Sequence, residues 1–341
     1  MPPMTPRTPG LQREAGFSLP QLLVATAITL VVTGGALAVF QDASRAAEGV
    51  KLRLATDDNV RIGLDLMTRD FIQVGQGLPN TKVVSMPSGT GATAVNRPGP
   101  PGAALTFDPA ATEFSAVTPG DDLGPEVNGV GTDLVNALYV DSQFETLNVV
   151  LAADGSSMTV NGTPIVGVAD PIAVGDLILF VNGSLTAVQL VTRLNSPPNQ
   201  TVFFDTGDPM NLNQRGAAAG SVMPLIAAGG PVTASRLRMV SYYIDDTFAD
   251  GVPRLVRRVN MNPGRVVALG VDNLQFTYDL VDGATNPTNQ AAPATPNQIR
   301  KVNIGIGARS RRRFQQTQDF VRTGLSTQVS LRSLALVDRY R

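Results

Sequence analysis

Three groups of residues have types and spacings that suggest chemistry. Asp279, Asp282 and Asn286 put oxygen ligands around Asp282-Gly283, and hard cations such as calcium take oxygen ligands. Their spacing is not that of an EF-hand, and Asp-Gly is first of all a turn signal. The expectation is therefore no metal, with calcium at these three residues as the weaker alternative. Arg311, Arg312 and Arg313 are the densest part of a basic C-terminal region, where ten cationic side chains from Arg300 onward face only Asp319 and Asp338. Such a run can hold phosphate, yet few aromatics interleave with it (Phe314, Phe320, Tyr340). It reads as a loop that caps a strand. A solvated loop, or a patch that touches anionic headgroups or a partner subunit, is favoured over nucleic acid. Ser and Asp are plentiful, but the chain has no His and no Cys, and its only lysines are Lys51, Lys82 and Lys301. No hydrolytic triad, imidazole base, thiolate nucleophile, thiolate metal site or disulfide can be assembled. We expect no active site, no enzyme activity and no cofactor.

These residues sit in a chain of 341 residues that is 43% hydrophobic and 16% charged, with 33 Gly, 25 Pro and a net charge of −1. That composition suits a β-rich, loop-rich, non-cytosolic protein of two domains, or one domain with insertions. From Phe17 to Phe40 no residue is charged. As a helix this run would span about 36 Å, against a hydrocarbon core of about 30 Å. A secretory signal has a shorter apolar core followed by a cleavage site, whereas the residues after Phe40 continue as helix. Val60, Leu64, Met67, Phe71 and Val74 form one apolar stripe, with Arg61, Asp65, Arg69 and Asp70 read as lying off it. Gly75-Gln76-Gly77-Leu78-Pro79 stops the helix. The reading is therefore a polar leader over 1–16, a membrane half-helix over 17–40, an amphipathic half over 41–75, and a β-rich head over 76–341.

Within the head, 75–130 reads as irregular, with one strand at 104–107. Strands are expected at 134–139, 147–151 (turning at Asp154-Gly155), 201–204, 236–244, 254–260, 271–280, 299–308 and 325–336. Between Asp176 and Val191 lies a hairpin with Asn182-Gly183 as a type I′ turn. The expected fold class is α+β, a long N-terminal helix packed on an antiparallel sheet.

Gly16-Phe17-Ser18-Leu19, behind a polar leader that carries Arg7 and Arg13, resembles the start of type IV prepilins. That resemblance implies cleavage between Gly16 and Phe17 by a prepilin peptidase, with N-methylation of Phe17. It also implies assembly through Pro20, Gln21, Leu22 and Leu23 at the head of the helix. The family has Glu at the fifth mature position, where it pairs with the N-terminal amine of the subunit ahead; this chain has Gln21, and an unusual Pro20 before it. An unpaired carboxylate in lipid costs about 2.5–3.5 kcal/mol. Gln21 thus either suits a tip subunit, which has no predecessor, or reflects neutral drift. Pro20 falls where a helix has no amide to lose. Gly34-Gly35 sits mid-helix, where local melting on assembly and close helix packing are both open.

Further segments sharpen the resemblance to PilW-like minor pilins and the related J-type pseudopilins of type II secretion. They are NVRIGLDLMTRDF (59–71), GDLIL (175–179), VSYYI (240–244), GVPRLVRR (251–258), GVDNLQFTY (270–278), IRKVNI (299–304) and LSTQVSLR (325–332), with 80–130 and 205–235 unmatched. The implied function is structural: a minor pilin that primes or caps a type IV pilus for adhesion or twitching. The alternatives are a minor pseudopilin and a DNA-binding tip subunit of a DNA-uptake pilus. The implied partners are other minor pilins and the major pilin, the prepilin peptidase, the inner membrane and a tip adhesin, with DNA not expected. The implied location is the inner membrane with a periplasmic head, then the pilus at the cell surface.

Overall fold

A computed structural model describes residues 16, 18–79, 83–160, 171–195 and 201–335. Its first element is α1, Leu19–Gln73, a single helix of 55 residues. Ser18 caps it in an extended conformation and Pro20 lies in its first turn. It ends where Gly75 and Gly77 take φ of +77° and +70°, a left-handed turn that only glycine enters cheaply. The expected stripe is the buried face: Val60, Met67, Phe71 and Val74 are fully covered and Leu64 packs at the edge. Each such side chain contributes about 1.5–3 kcal/mol when removed from water.

The strands follow in chain order: β1 Val83–Ser85, β2 Glu113–Ser115, β3 Val117–Thr118, β4 Val135–Val140, β5 Leu147–Leu151, β6 Ser157–Val160, β7 Leu177–Asn182 and β8 Leu185–Leu190. Next come β9 Arg193–Leu194, β10 Thr201–Phe203, a short helix α2 Met223–Ala228, β11 Val232–Asp245, β12 Arg254–Val259 and β13 Arg265–Leu269. The chain closes with β14 Val271–Leu280, β15 Ile299–Arg313, β16 Phe320–Ser330 and one helical turn, α3 Arg332–Ala335. All registered pairs are antiparallel, in an 11-stranded sheet, a 3-stranded sheet of order β14-β15-β16, and the β1-β2 pair. The α+β expectation holds, with the helix laid on a sheet head.

β11 organises the larger sheet. Thr233 to Leu237 pair with β7 and Val240 to Asp245 with β12. Val232 to Ala234 also pair with β5, and Leu237 to Tyr242 with β4. Since a strand has two edges, β7 and β12 share one edge of β11 end to end, and β5 and β4 share the other. The N-terminal half of β11 belongs to one hydrophobic cluster with Phe180, Val202, Phe204 and Leu225. Its C-terminal half joins the larger cluster with the α1 stripe, Phe276 and Ile304.

In the head, five expectations change. Residues 75–130, read as irregular, hold β1, β2 and β3. Residues 104–107 form no strand, only an isolated Asn96↔Thr106 bridge; Pro98, Pro100 and Pro101 just before supply no amide to a ladder. The hairpin turn is Gly183-Ser184, because Asn182 still pairs with Leu185; Gly183 at φ +60° opens it as in a II′ turn rather than I′. Arg309 to Arg313 lie in β15 itself, whose pairing with β16 reaches Arg313↔Phe320. The final strand runs from 320 to 330 and gives way to α3 rather than continuing toward 336.

Burial pushes up the phenol pKa of Tyr139, Tyr242, Tyr243 and Tyr278. A group with a raised folded pKa stabilises the fold fully below its unfolded value, about 10 for tyrosine, and loses that contribution as the pH climbs beyond. The four phenolates should therefore appear together with cooperative unfolding in alkali. Their gradual appearance near pH 10, with circular dichroism unchanged, would contradict these burials.

Candidate functional site

The N-terminal end of α1 is built by four residues. Gly16 is exposed, and a Cβ added there would meet nothing within 4 Å; Phe17 lies outside the described residues. Gln21 folds back so that its Oε1 accepts the Ser18 amide at 3.1 Å, while the Leu22 amide donates to the Ser18 carbonyl at 3.1 Å. Ser18-Leu19-Pro20-Gln21 thus follows the S-x-x-Q capping pattern, in which the third helical residue satisfies an orphan amide. Sequence reasoning assigned Gln21 to assembly and missed this local role, although the spacing carries the signal. Pro20 sits at the second helical position, where no intrahelical bond is lost.

From Leu19 to Phe40 none of the described residues covers the helix. Leu22 and Leu23 are 59% and 60% exposed and Phe40 is 72% exposed. The most apolar 18-residue window has a mean hydropathy of 2.3 with no residue buried. Two of its hydroxyls bond back to the helix: that of Thr26 donates to the Leu23 carbonyl at 2.9 Å and that of Thr29 to the Ala25 carbonyl at 2.8 Å. Such a surface is compatible with lipid or with the packed stems of other subunits. The helix passes unbroken through Gly34 and Gly35, and a Cβ at either would meet nothing within 4 Å.

A clasp joins stem and head. Asp70, read from sequence as an outward-facing charge, is only 4% exposed. Its Oδ2 accepts the Tyr242 hydroxyl at 2.5 Å and Arg257 Nε at 2.6 Å, and its Oδ1 accepts Arg257 Nη2 at 3.1 Å. Burial alone would lower the Arg257 pKa, but the bidentate bond to Asp70 outweighs it and drives the pKa above the usual arginine value. Burial, then the Asp70 charge, keeps the Tyr242 phenol neutral. The signal was present, since Asp70 lies three residues after Met67 and ten after Val60, within the seam. Two turns below, helix and sheet meet closely: a Cβ on Gly63 would lie 2.9 Å from Leu255 Cδ2 and 3.3 Å from Ile306 Cδ1.

The oxygens considered for calcium are occupied within the protein. Asp282 accepts the amides of Ala284, Thr285 and Asn286 and the Thr285 hydroxyl, and bonds led by the Asn286 amide pull its pKa well below the usual carboxylate range. Asn286 Oδ1 accepts the Asp282 and Gly283 amides. Asp279 faces elsewhere, accepting from Asn289, Asn303 and Gln328. The three make an Asx-type turn and a strand-to-strand network. Among the described residues, Asp121, Asp122 and Asp133 do bring carboxylates together; the Asp133 oxygens accept the amides of Asp122 and Phe276.

Arg311, Arg312 and Arg313 are exposed at the end of β15. The turn beyond them rests on the stem, with the Phe314 ring 3.3 Å from a Cβ built on Gly49. They thus lie at the foot of the head, beside the helix as it leaves its apolar half. A second arginine group lines a recess of about 600 Å³ between the ends of β7 and β12. There Arg236 and Arg238 both bind Asp141 Oδ2 at 2.6 Å.

These features define a class. The chain is a helix-anchored α+β protein, with one uncovered apolar stem that runs without a break into a half packed on an antiparallel β head. No protein-family model matches it, and neither a curated protein nor a solved structure matches it significantly.

Proposed function

We propose that this protein is a PilW-like minor pilin, a structural subunit that enters a type IV pilus through its N-terminal helix. The observation that carries the reading is the stem. Its helix begins three residues after Gly16, stays uncovered and apolar to Phe40, and is then clamped to the head by the amphipathic half. A helix that only anchored a head would need lipid-facing length alone. A filament subunit also needs a start that peptidase cleavage can expose, and a head fixed rigidly to the stem. Gly16 is exposed for the first requirement, and the Asp70 clasp meets the second. On this reading, Gln21 keeps the helix start formed without placing a carboxylate in lipid, so the subunit does not depend on a predecessor's amine. Its partners are other pilin subunits, met through Pro20, Gln21, Leu22, Leu23 and the uncovered face beyond. The head faces the periplasm until assembly, and the same residues lead into the inner membrane.

Mass analysis of the native N-terminus tests this. In cells with an active prepilin peptidase, the protein should begin at methylated Phe17. It should retain residues 1–16 in peptidase-deficient cells, and also when Gly16→Val blocks the cut. A native chain that still starts at Met1 beside an active peptidase would overturn the proposal.

A further inference from the structure

Resting on the reading of α1's apolar half as the membrane span, we propose that the β15–β16 turn is a membrane-contact surface. Its arginines meet the phosphate groups of anionic lipids at the foot of the stem.

The argument begins with direction. β15 runs antiparallel along α1: Ile306 lies against Gly63 and Phe314 against Gly49. Fourteen helical residues cover about 21 Å and eight strand residues about 26 Å, so the strand keeps pace with the helix down to its base. The turn then reaches the boundary itself. Arg312 and Gln315 line the same recess of about 570 Å³ as Phe40, Gln41, Ser44 and Lys51. Phe40 is the last apolar residue of the uncharged run, two before Asp42. A bilayer that receives Leu19 to Phe40 therefore places its headgroups at the height of this turn.

Charge is the second argument. Arg311 and Arg312 are exposed and make no ion pair or hydrogen bond through their guanidinium groups among the described residues. Asp250, the acid beside Arg311, is already held by Arg254 at 2.7 Å. Arg313 is ordered by the turn: it donates to the Gln318 carbonyl at 2.8 Å and stacks 5.0 Å from the Phe320 ring. On the stem side, Arg45 pairs only loosely with Asp42, at 3.5 Å with both exposed, and Lys51 faces the same recess as Glu48. Two unpaired guanidiniums are thus held by a rigid hairpin within reach of a phosphate plane. Each basic group beside an anionic surface shifts such an equilibrium roughly fivefold, within a Debye length of about 10 Å. A nucleic acid would meet this patch only at the membrane end of the head, so lipid is the better fit.

The chain has no cysteine, so Gln315→Cys gives the full-length protein a single thiol for a spin label, and Ser184→Cys in the β7–β8 turn gives a control. The labelled chains are reconstituted in lipid discs, either zwitterionic or containing phosphatidylglycerol, with a relaxation agent carried on a lipid headgroup. The expected result is strong relaxation at position 315 and little at 184. The equilibrium constant for contact at 315 should be greater in anionic discs, fall with salt, and drop about 25-fold with Arg311→Ser and Arg312→Ser together. Arg311→Lys with Arg312→Lys should restore it. Relaxation at 315 that ignores lipid charge, or ignores both arginines, overturns the proposal. So does loss of DNA binding in the Ser variant with lipid contact intact, which would assign the patch to nucleic acid. Failure of the chain to enter discs at all would instead remove the membrane reading beneath it.

Discussion

Asp70→Ala is expected to lower the unfolding free energy by about 2–3 kcal/mol, because it leaves the buried Tyr242 hydroxyl and the half-buried Arg257 guanidinium without their acceptor. Arg257 loses its bidentate partner and Tyr242 the acceptor of its hydroxyl, both of them bound to a carboxylate that is only 4% exposed. Denaturant unfolding of the full chain in detergent would measure the loss. The pair itself need not be worth that much, since the desolvation of two charges offsets most of their attraction. Asp70→Leu combined with Arg257→Met and Tyr242→Phe should therefore recover most of the lost stability, while each charge deletion alone remains costly. If Asp70→Ala cost less than about 1 kcal/mol, the clasp would not be what holds stem to head.

Gly270→Ala should be comparably damaging for a different reason. Gly270 links β13 to β14 at φ +74°, and a Cβ there would lie 2.2 Å from the Arg309 carbonyl oxygen. A left-handed backbone costs an alanine about 1–2 kcal/mol by itself. The overlap is with backbone, so no rotamer change relieves it; β14 and β15 must separate, and the Arg309 amide bond to the Gly270 carbonyl at 2.8 Å goes with them. Gly35→Ala is the matched contrast. It sits in a regular helix with nothing within 4 Å of the added Cβ, and should gain up to about 1 kcal/mol of helix propensity. Thermal unfolding of the two variants should move in opposite directions. Equal tolerance of both substitutions would show that the β13–β14 link is not as tight as it stands here.

The parts of the fold that could be read from sequence are those where one physical pattern acts alone. The stem follows from an uncharged run, then an apolar stripe, then Gly75 and Gly77. β14 and the first ten residues of β15 alternate because one face is buried, and Val302, Ile304, Ile306 and Ala308 all lie in the core. What stayed hidden depends on partners distant in sequence. The spacing of Asp70 from Val60 and Met67 carries its inward direction, but nothing near it in the chain foretells its partner Arg257, 187 residues away. Arg311 to Arg313 carry no alternation, so the strand there comes from the ladder with β16 rather than from burial. β13 and the short strands β1 to β3 exist as edge pairings, with too few residues to show a period. At the helix start, the family resemblance drew Gln21 toward assembly and away from the simpler S-x-x-Q reading, which accounts for its observed contact with Ser18.

The antiparallel course of β15 along α1 has a mechanical consequence. Gly49 against Phe314, Gly63 against Ile306 and Asp70 against Arg257 are spaced along one axis, that of the stem. Force entering through the stem would load these attachments in shear, all at once, instead of unzipping them one by one. A head joined in this way resists traction as a lap joint does.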